Sequence, residues 1–478
     1  MEIDPVLFAQ QGGITLRPYQ QAVARALVNS VFAGQGRSLA VMFPRQSGKN
    51  EVQAWVEAAL LAGLREQGAE IVKISPTFRP QSLNAMRRLE RALRAHPETK
   101  NEWKKEQGYI YRIGQARVYF LSGAPESNIV GATASTLLQI DEAQEISLEK
   151  YDREIAPMAA STRATRAFWG TAWTADTLLA RELRAARAEG GAFVVGPEEV
   201  SQSVPEYGRF VAEQVARLGR DHPMVRTQYF CEELETGGRA MFPPERLERM
   251  TAPPGFAVPS GGPYALLVDV GGEARAGDEP HEHDFTAATV VAADLRGLNT
   301  PARAPIYRPV ERRAWQGANH ADVFDALLAL DARYRFRWVV VDATGVGAGL
   351  SAFLERALPG RVIPFVFSLA SKSQLGWDFL AVVDAGRWQE PCPITDALGQ
   401  AFFRQLAACE QEVLPGPGRV LRWGVPEGRR DPLTHAPLHD DLVLSAALCA
   451  LLDRQKWRLP AAPFIIPAPD PLDGVKGF

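Results

Sequence analysis

Two sets of residues concentrate the chemistry this chain can do. In the first, Phe43-Pro44-Arg45-Gln46-Ser47-Gly48-Lys49-Asn50 follows an apolar run, and a later apolar run, Leu137-Leu138-Gln139-Ile140, ends in Asp141-Glu142-Ala143. A glycine lets the backbone turn tightly enough for amide N–H groups to face phosphate oxygens, and the lysine after it adds a positive charge. Arg45, Gln46, Ser47, Gly48, Lys49 and Asn50 are therefore the candidate ATP contacts. Asp141 is the candidate magnesium ligand, directly or through water, and Glu142 the group that polarises water for attack on a γ-phosphate. The pattern predicts a site for ATP and Mg2+.

The second set lies in the rear half. Asp269 follows Ala265-Leu266-Leu267-Val268, Asp342 follows Trp338-Val339-Val340-Val341, and Asp440-Asp441 open an apolar helix-like stretch. A carboxylate at the C-terminal end of a buried strand emerges at the rim of a sheet, where neighbouring parallel strands bring such groups together. Like charges held that close call for a divalent cation, Mg2+ or Mn2+. Two such ions about 3.5–4 Å apart activate water and stabilise the leaving oxygen in phosphodiester cleavage. Asp284, opening the next strand, is a further candidate ligand. Each aspartate alone also reads as a turn former, and Asp440 as a helix cap; their order favours metal. His281-Glu282-His283 reads as a solvated loop. The glycine spacing after Asp342 is wrong for a dinucleotide fingerprint.

These residues need elements to hold them. Strand-like runs at 38–43, 70–75, 118–122, 136–140 and 167–170 alternate with helix-like stretches at 51–64 and 81–95, which predicts an α/β fold with a mostly parallel sheet. Gly- and Pro-rich residues around 236–262 read as a linker. Runs at 265–270, 287–292, 308–313, 338–341 and 362–367, then an apolar helix at 442–452, predict a second strand-rich unit, with Trp377 and Trp388 in its core. The expected organisation is 1–235, linker 236–262, 263–459 and a Pro-rich tail 460–478.

Bulk composition agrees without deciding. A chain of 478 residues exceeds what one core usually supports. A net charge of -3 gives no global nucleic-acid signature, so any such contact has to be local. Cys231, Cys392, Cys409 and Cys449 are scattered, which argues against structural zinc or a disulfide framework. Neither a basic-then-apolar leader nor a membrane-length apolar run is present in the sequence, so a soluble intracellular protein without membrane partners is expected.

In this order the motifs resemble the large terminase subunit of tailed bacteriophages, over nearly the whole length. Arg45-Gln46-Ser47-Gly48-Lys49 is similar to the family's phosphate-loop core and Asp141-Glu142-Ala143 to its acidic motif. Thr171-Ala172-Trp173-Thr174 loosely resembles its coupling motif. Leu16-Arg17-Pro18-Tyr19-Gln20 resembles its adenine-side motif, with Gln20 at the base edge. Asp269, Asp342 and His439-Asp440-Asp441 fall where its metal carboxylates fall. The resemblance implies an N-terminal P-loop ATPase domain (ASCE-type) and a C-terminal ribonuclease-H-like nuclease domain. It further implies a motor in the cytoplasm of an infected bacterial host that pumps double-stranded DNA into a procapsid and cuts it. Its partners would be the portal protein, the small terminase subunit and further copies in a ring on the portal, the chain alone being monomeric.

Some positions depart from the family. Asn50 stands where a Ser or Thr hydroxyl normally meets magnesium, and Val130 where some members carry an arginine. Arg79, Arg163 and Arg166 are then candidates for a finger acting on a neighbour, and Arg45 for a γ-phosphate contact within the loop. Lys372, Arg429 and Arg430 are the candidate DNA contacts. Two other readings remain open at this point: a nucleotide-switch scaffold that binds DNA or portal without acting on them, and a cellular helicase–nuclease.

Overall fold

The computed structural model describes residues 3–127, 129, 131–234, 239–252, 263–273, 285–414 and 420–457. Asp284, His281-Glu282-His283, Val130, the residues 460–478 read as a tail and much of the expected linker lie outside them.

In the front half the apolar runs become strands: β1 (Ser38–Met42), β2 (Ala69–Ser75), β3 (Trp103–Glu106), β4 (Ile110–Ile113), β5 (Ala116–Ser122), β6 (Leu137–Ile140), β7 (Thr165–Gly170) and β8 (Ala192–Val194). They form one sheet in the order β3-β4-β5-β2-β6-β7-β1-β8. From β5 to β8 all neighbours are parallel, and β4 runs antiparallel to β3 and β5. β7 thus separates β1, which leads into the phosphate loop, from β6, which ends in Asp141. This insertion opens a crevice at the C-terminal rim between the two motifs, where ligands of open α/β sheets bind.

The helix Lys49–Gly63 leaves the phosphate loop and is buried on nearly every side. Ala54, Ala58, Ala59 and Ala62 favour helix and let neighbours approach closely. It also carries two buried polar residues one turn apart, Gln53 and Glu57. The Glu57 carboxylate meets the Lys73 ammonium of β2 at 2.8 Å, with both side chains essentially inaccessible. Gln139 of β6 donates to the same Glu57 oxygen at 2.8 Å and accepts from the Trp169 indole of β7 at 3.1 Å. Charges that would be ruinous alone are in this way tied across three strands.

The rear half has its own sheet: β10 (Tyr264–Asp269), β11 (Phe285–Asp294), β12 (Ile306–Gln316), β13 (Trp338–Asp342) and β14 (Val362–Phe365), in the order β12-β11-β10-β13-β14. β10, β11 and β12 are antiparallel in turn, whereas β13 and β14 run parallel to β10. Three antiparallel strands followed by two parallel ones on the other side of the first is the ribonuclease-H-like arrangement. The helix Asp441–Ala447 lies on β10 and β11, pinned where Ser445 Oγ donates to the Leu267 carbonyl at 2.9 Å. Trp377 and Trp388 are core residues, as expected.

Residues 239–252, read as linker, supply β9 (Arg239–Ala240), which pairs with β15 (Glu410–Val413) beside β16 (Leu421–Gly424), and a helix at Pro244–Arg249. Met241, Phe242 and Met250 are buried in the rear core. Flanking Gly and Pro mark boundaries, but burial of these apolar side chains decides the structure.

Candidate nucleotide and metal sites

β1 delivers the chain to Phe43, after which Gln46 and Gly48 take φ of 62° and 92°. At Gly48 this conformation favours glycine, and a Cβ there would lie 2.4 Å from the Gln20 amide nitrogen, which would have to move aside. Lys49 then opens its helix, whose N-terminus carries partial positive charge. Ser47 Oγ donates back to the Pro44 carbonyl at 2.7 Å, so its hydroxyl serves the loop.

Gln20 sits behind the loop, nearly buried. Its Oε1 accepts from the Arg17 N–H at 2.9 Å and its Nε2 donates to the Gly48 carbonyl at 3.2 Å. Tyr19 and Arg17 both donate to the Ser47 carbonyl, at 2.7 and 3.0 Å. The segment read as an adenine-side motif braces the phosphate loop in this structure.

Across the loop lies a cavity of about 740 Å³, lined by Arg45, Gln46, Gly48, Lys49, Asn50, Asp141, Glu142 and Thr171, among others. The Lys49 ammonium meets Glu142 Oε1 at 3.0 Å. Glu142 is held in the left-handed region, φ 46°, and its other oxygen accepts from Gln144 Nε2 at 2.7 Å. Such strain in a non-glycine residue is typical of functional positions. Gln144 Nε2 is also 3.5 Å from Thr171 Oγ1, in the expected coupling segment. Asp141 is buried and accepts from Gln53 Nε2 at 3.1 Å. Burial pushes its carboxyl up from the ordinary value, and the Lys73 charge opposes that shift.

The arginines separate by position. β1 residue Ser38 pairs with Arg166 and Met42 with Gly170, so Arg163 and Arg166 lie at the sheet end opposite this chain's own phosphate loop. Arg79 follows β2 on the phosphate-loop rim and is exposed. The structure adds Arg88, which lines the cavity and was missed in the sequence. It stands four residues after Asn84, another lining residue, on the helix Leu83–Ala95; that spacing was its only sequence signal.

In the rear sheet, Val268 pairs with Val341, so Asp269 and Asp342 stand side by side at the ends of adjacent parallel strands. Asp269 is 7% exposed, and none of the described residues donates a hydrogen bond to it. Burial pushes its carboxyl well up, with Asp441, Asp342 and Asp440 adding to the shift. Asp342 is also pushed up by burial, against which Thr344 N–H donates to its Oδ1 at 2.8 Å. Asp441 is buried, and its Oδ2 accepts from the Phe285 N–H at 3.2 Å. The donor set suits a hard divalent cation: carboxylates only, one of them buried with no donor among the described residues. The arrangement is open, since among the described residues no three His, Cys, Asp or Glu side chains converge closely enough to enclose a metal ion.

Lys372 lies at this rim, its Nζ 3.5 Å from Asp440 Oδ2. Arg429 and Arg430 are exposed on the loop leading to His439, where Arg430 donates to the His435 carbonyl at 2.8 Å and Arg429 lies 3.9 Å from Glu410.

No family model matches the sequence, and no curated protein does. Solved structures do match. Over nearly its whole length the chain is similar to phage large terminases. One, from a thermophilic bacteriophage, aligns with 92% of this chain and 99% of its own, at 10% identity and a TM-score of 0.49. That of bacteriophage HK97 aligns with 94% of this chain and 98% of its own, at 10% identity and a TM-score of 0.42. The large terminase nuclease from thermophilic phage G20c with bound magnesium aligns with 44% of this chain and 96% of its own, at 18% identity and a TM-score of 0.31. At such identities function has to be read from this chain's own side chains. None of the helices among the described residues is long and apolar enough to cross a membrane.

Proposed function

We propose that this chain is a viral DNA-packaging motor, a large terminase that hydrolyses ATP to translocate double-stranded DNA and cuts it with a metal-dependent nuclease. The observation that carries the reading is the Lys49–Glu142 contact of 3.0 Å across the crevice between β1 and β6, in a chain whose rear sheet ends in a carboxylate rim. Lys49 and the loop amides would bind phosphate, Arg45 and Arg88 line the cavity as further cations, and Asp141 with Asn50 would hold Mg2+. An entering γ-phosphate competes with Glu142 for the lysine, which frees Glu142 to orient water. Gln144 fixes the other Glu142 oxygen while this happens.

In the rear site Asp269 and Asp342, with Asp441 and Asp440, are the ligands for Mg2+ or Mn2+, and Asp284 is a further candidate. Ions held there would supply water activation and stabilisation of the leaving oxygen of a phosphodiester. Lys372, Arg429 and Arg430 supply positive charge for the DNA backbone. The portal, the small terminase subunit and a ring of further copies belong to the same reading, as does the cytoplasm of an infected bacterium. The cofactor reading is supported by the donor sets: a cavity lined by Arg45, Lys49 and Arg88 beside Asp141 and Glu142 for ATP with Mg2+, and an all-carboxylate rim for the nuclease ions.

The test is direct. Purified protein is incubated with plasmid and Mn2+, comparing wild type with Asp342→Ala, while phosphate release from ATP is followed in parallel. Cleavage lost in the variant with ATP turnover retained supports both activities. Cleavage unaffected by Asp342→Ala or by excess chelator overturns the nuclease assignment. A second reading, a nucleotide-switch scaffold, is favoured by Asn50 and by the open carboxylate rim; it requires that neither activity be found. The helicase–nuclease alternative loses support because the rear sheet is no second motor lobe: β11 runs antiparallel to β10 and β12.

A further inference from the structure

We propose that Lys372 is a positioning residue of the rear site, a built-in counter-ion that pairs with Asp440 in competition with a divalent cation. The inference rests on the metal-dependent nuclease reading and accounts for its open geometry. Lys372 sits in the first turn of the helix Leu369–Asp384, where a cation opposes the helix dipole and needs an anion nearby to justify it. That turn is fixed independently of Asp440. Ser368 Oγ accepts from the Ser371 N–H at 3.1 Å, and the Lys372 carbonyl accepts from the Trp423 indole at 2.7 Å. The ammonium lies 5.5 Å from the Trp423 ring centroid and 3.5 Å from Asp440 Oδ2.

The neighbouring strand leaves room for the pair. Gly424, in β16, has φ 143°, and a Cβ there would lie 2.4 Å from Asp440 Oδ2 and 3.5 Å from Lys372 Nζ. Any larger residue would therefore displace Asp440. With the partners' side chains 33% and 21% exposed, the ion pair is a weak, solvent-screened one that another cation can replace. Asp440 held to Lys372 is a ligand withheld from Asp269, Asp342 and Asp441, consistent with the absence of a closed cage among the described residues. A divalent ion entering the rim has to outcompete the ammonium for Asp440.

The experiment measures Mn2+ binding by the electron paramagnetic resonance signal of the free ion, on full-length protein without nucleotide. Asp342→Asn identifies the ions bound elsewhere. Lys372→Met keeps the aliphatic stem over Trp423 while removing the charge, and Lys372→Arg restores it. The expected result is Mn2+ binding tighter by about 2- to 10-fold in Lys372→Met and near the parental value in Lys372→Arg. Structural damage would weaken binding, so tightening separates the two explanations. Affinity unchanged or weakened in Lys372→Met, with wild type still binding more Mn2+ than Asp342→Asn, overturns the role of Lys372 alone. Wild type binding no more Mn2+ than Asp342→Asn overturns the nuclease reading itself.

Discussion

The indole of Trp173 lies 6.5 Å from that of Trp377, ring centroid to ring centroid, at 59°. Trp173 follows β7 of the front sheet, three residues after Gly170, whereas Trp377 is in the middle of the rear helix Leu369–Asp384. Both are buried in the same cluster. The segment that passes Thr171 at the nucleotide cavity therefore ends inside the rear core. Trp377→Ala should lower stability by about 3–5 kcal/mol through the cavity it leaves. Guanidinium unfolding monitored by circular dichroism tests this; an unchanged midpoint would mean that the indole contributes little to the packing.

His222 supplies a pH dependence at the same seam. Its Nε2 lies 3.0 Å from the Trp377 carbonyl and its Nδ1 accepts from the Met224 N–H at 3.2 Å, which suits the neutral ring protonated at Nε2. Burial pushes its pKa below the ordinary 6.5. The unfolded chain then takes up a proton below that pH which the folded chain refuses. Its contribution is full above pH 6.5 and is lost as pH falls toward the depressed folded value. Melting temperatures at about pH 7.5 and 5.5 should fall further in wild type than in His222→Asn, which keeps a capping side chain. Equal falls would show that the ring does not titrate in this way.

The Lys73–Glu57 pair predicts strong non-additivity. Lys73→Met leaves the Glu57 carboxylate buried without its cation and should cost about 3–5 kcal/mol. Combining it with Glu57→Met removes the stranded charge and should recover much of that loss. Urea titrations of the two single variants and the double variant measure the coupling; a double variant as unstable as the sum of the singles would refute it.

At the nucleotide cavity, Lys49→Ala should abolish ATP binding and turnover. Glu142→Gln should retain nucleotide and lower hydrolysis by about 10²–10⁴-fold. Filter binding with labelled ATP, beside phosphate release, separates the two effects. Parental turnover in Glu142→Gln would remove Glu142 from the water-activating role.

Where a few adjacent residues carry the physics, the sequence was readable. An apolar run into Gly48-Lys49, and aspartates closing apolar runs at 269 and 342, need only strand burial and turn geometry to be interpreted. β3 was missed because three of the four residues of Trp103–Glu106 are charged and none is buried, a strand made by pairing with β4. Gln53, Glu57 and Lys73 carry no local signal; their meaning lies in partners distant in the chain. The bracing of the phosphate loop by Gln20 was equally hidden, since the residue type fits base recognition and loop support alike. Met241 and Phe242 were obscured by their Gly and Pro neighbours.

One helix touches both halves of the molecule. Trp377 and Lys372 are five residues apart on Leu369–Asp384, about 7.5 Å along its axis. One point bears on the segment that leaves the front sheet, the other on Asp440. A stiff rod gripped at two such points would act as a lever: a slide of the front body against the rear would tip it and shift the ammonium at its far end relative to Asp440.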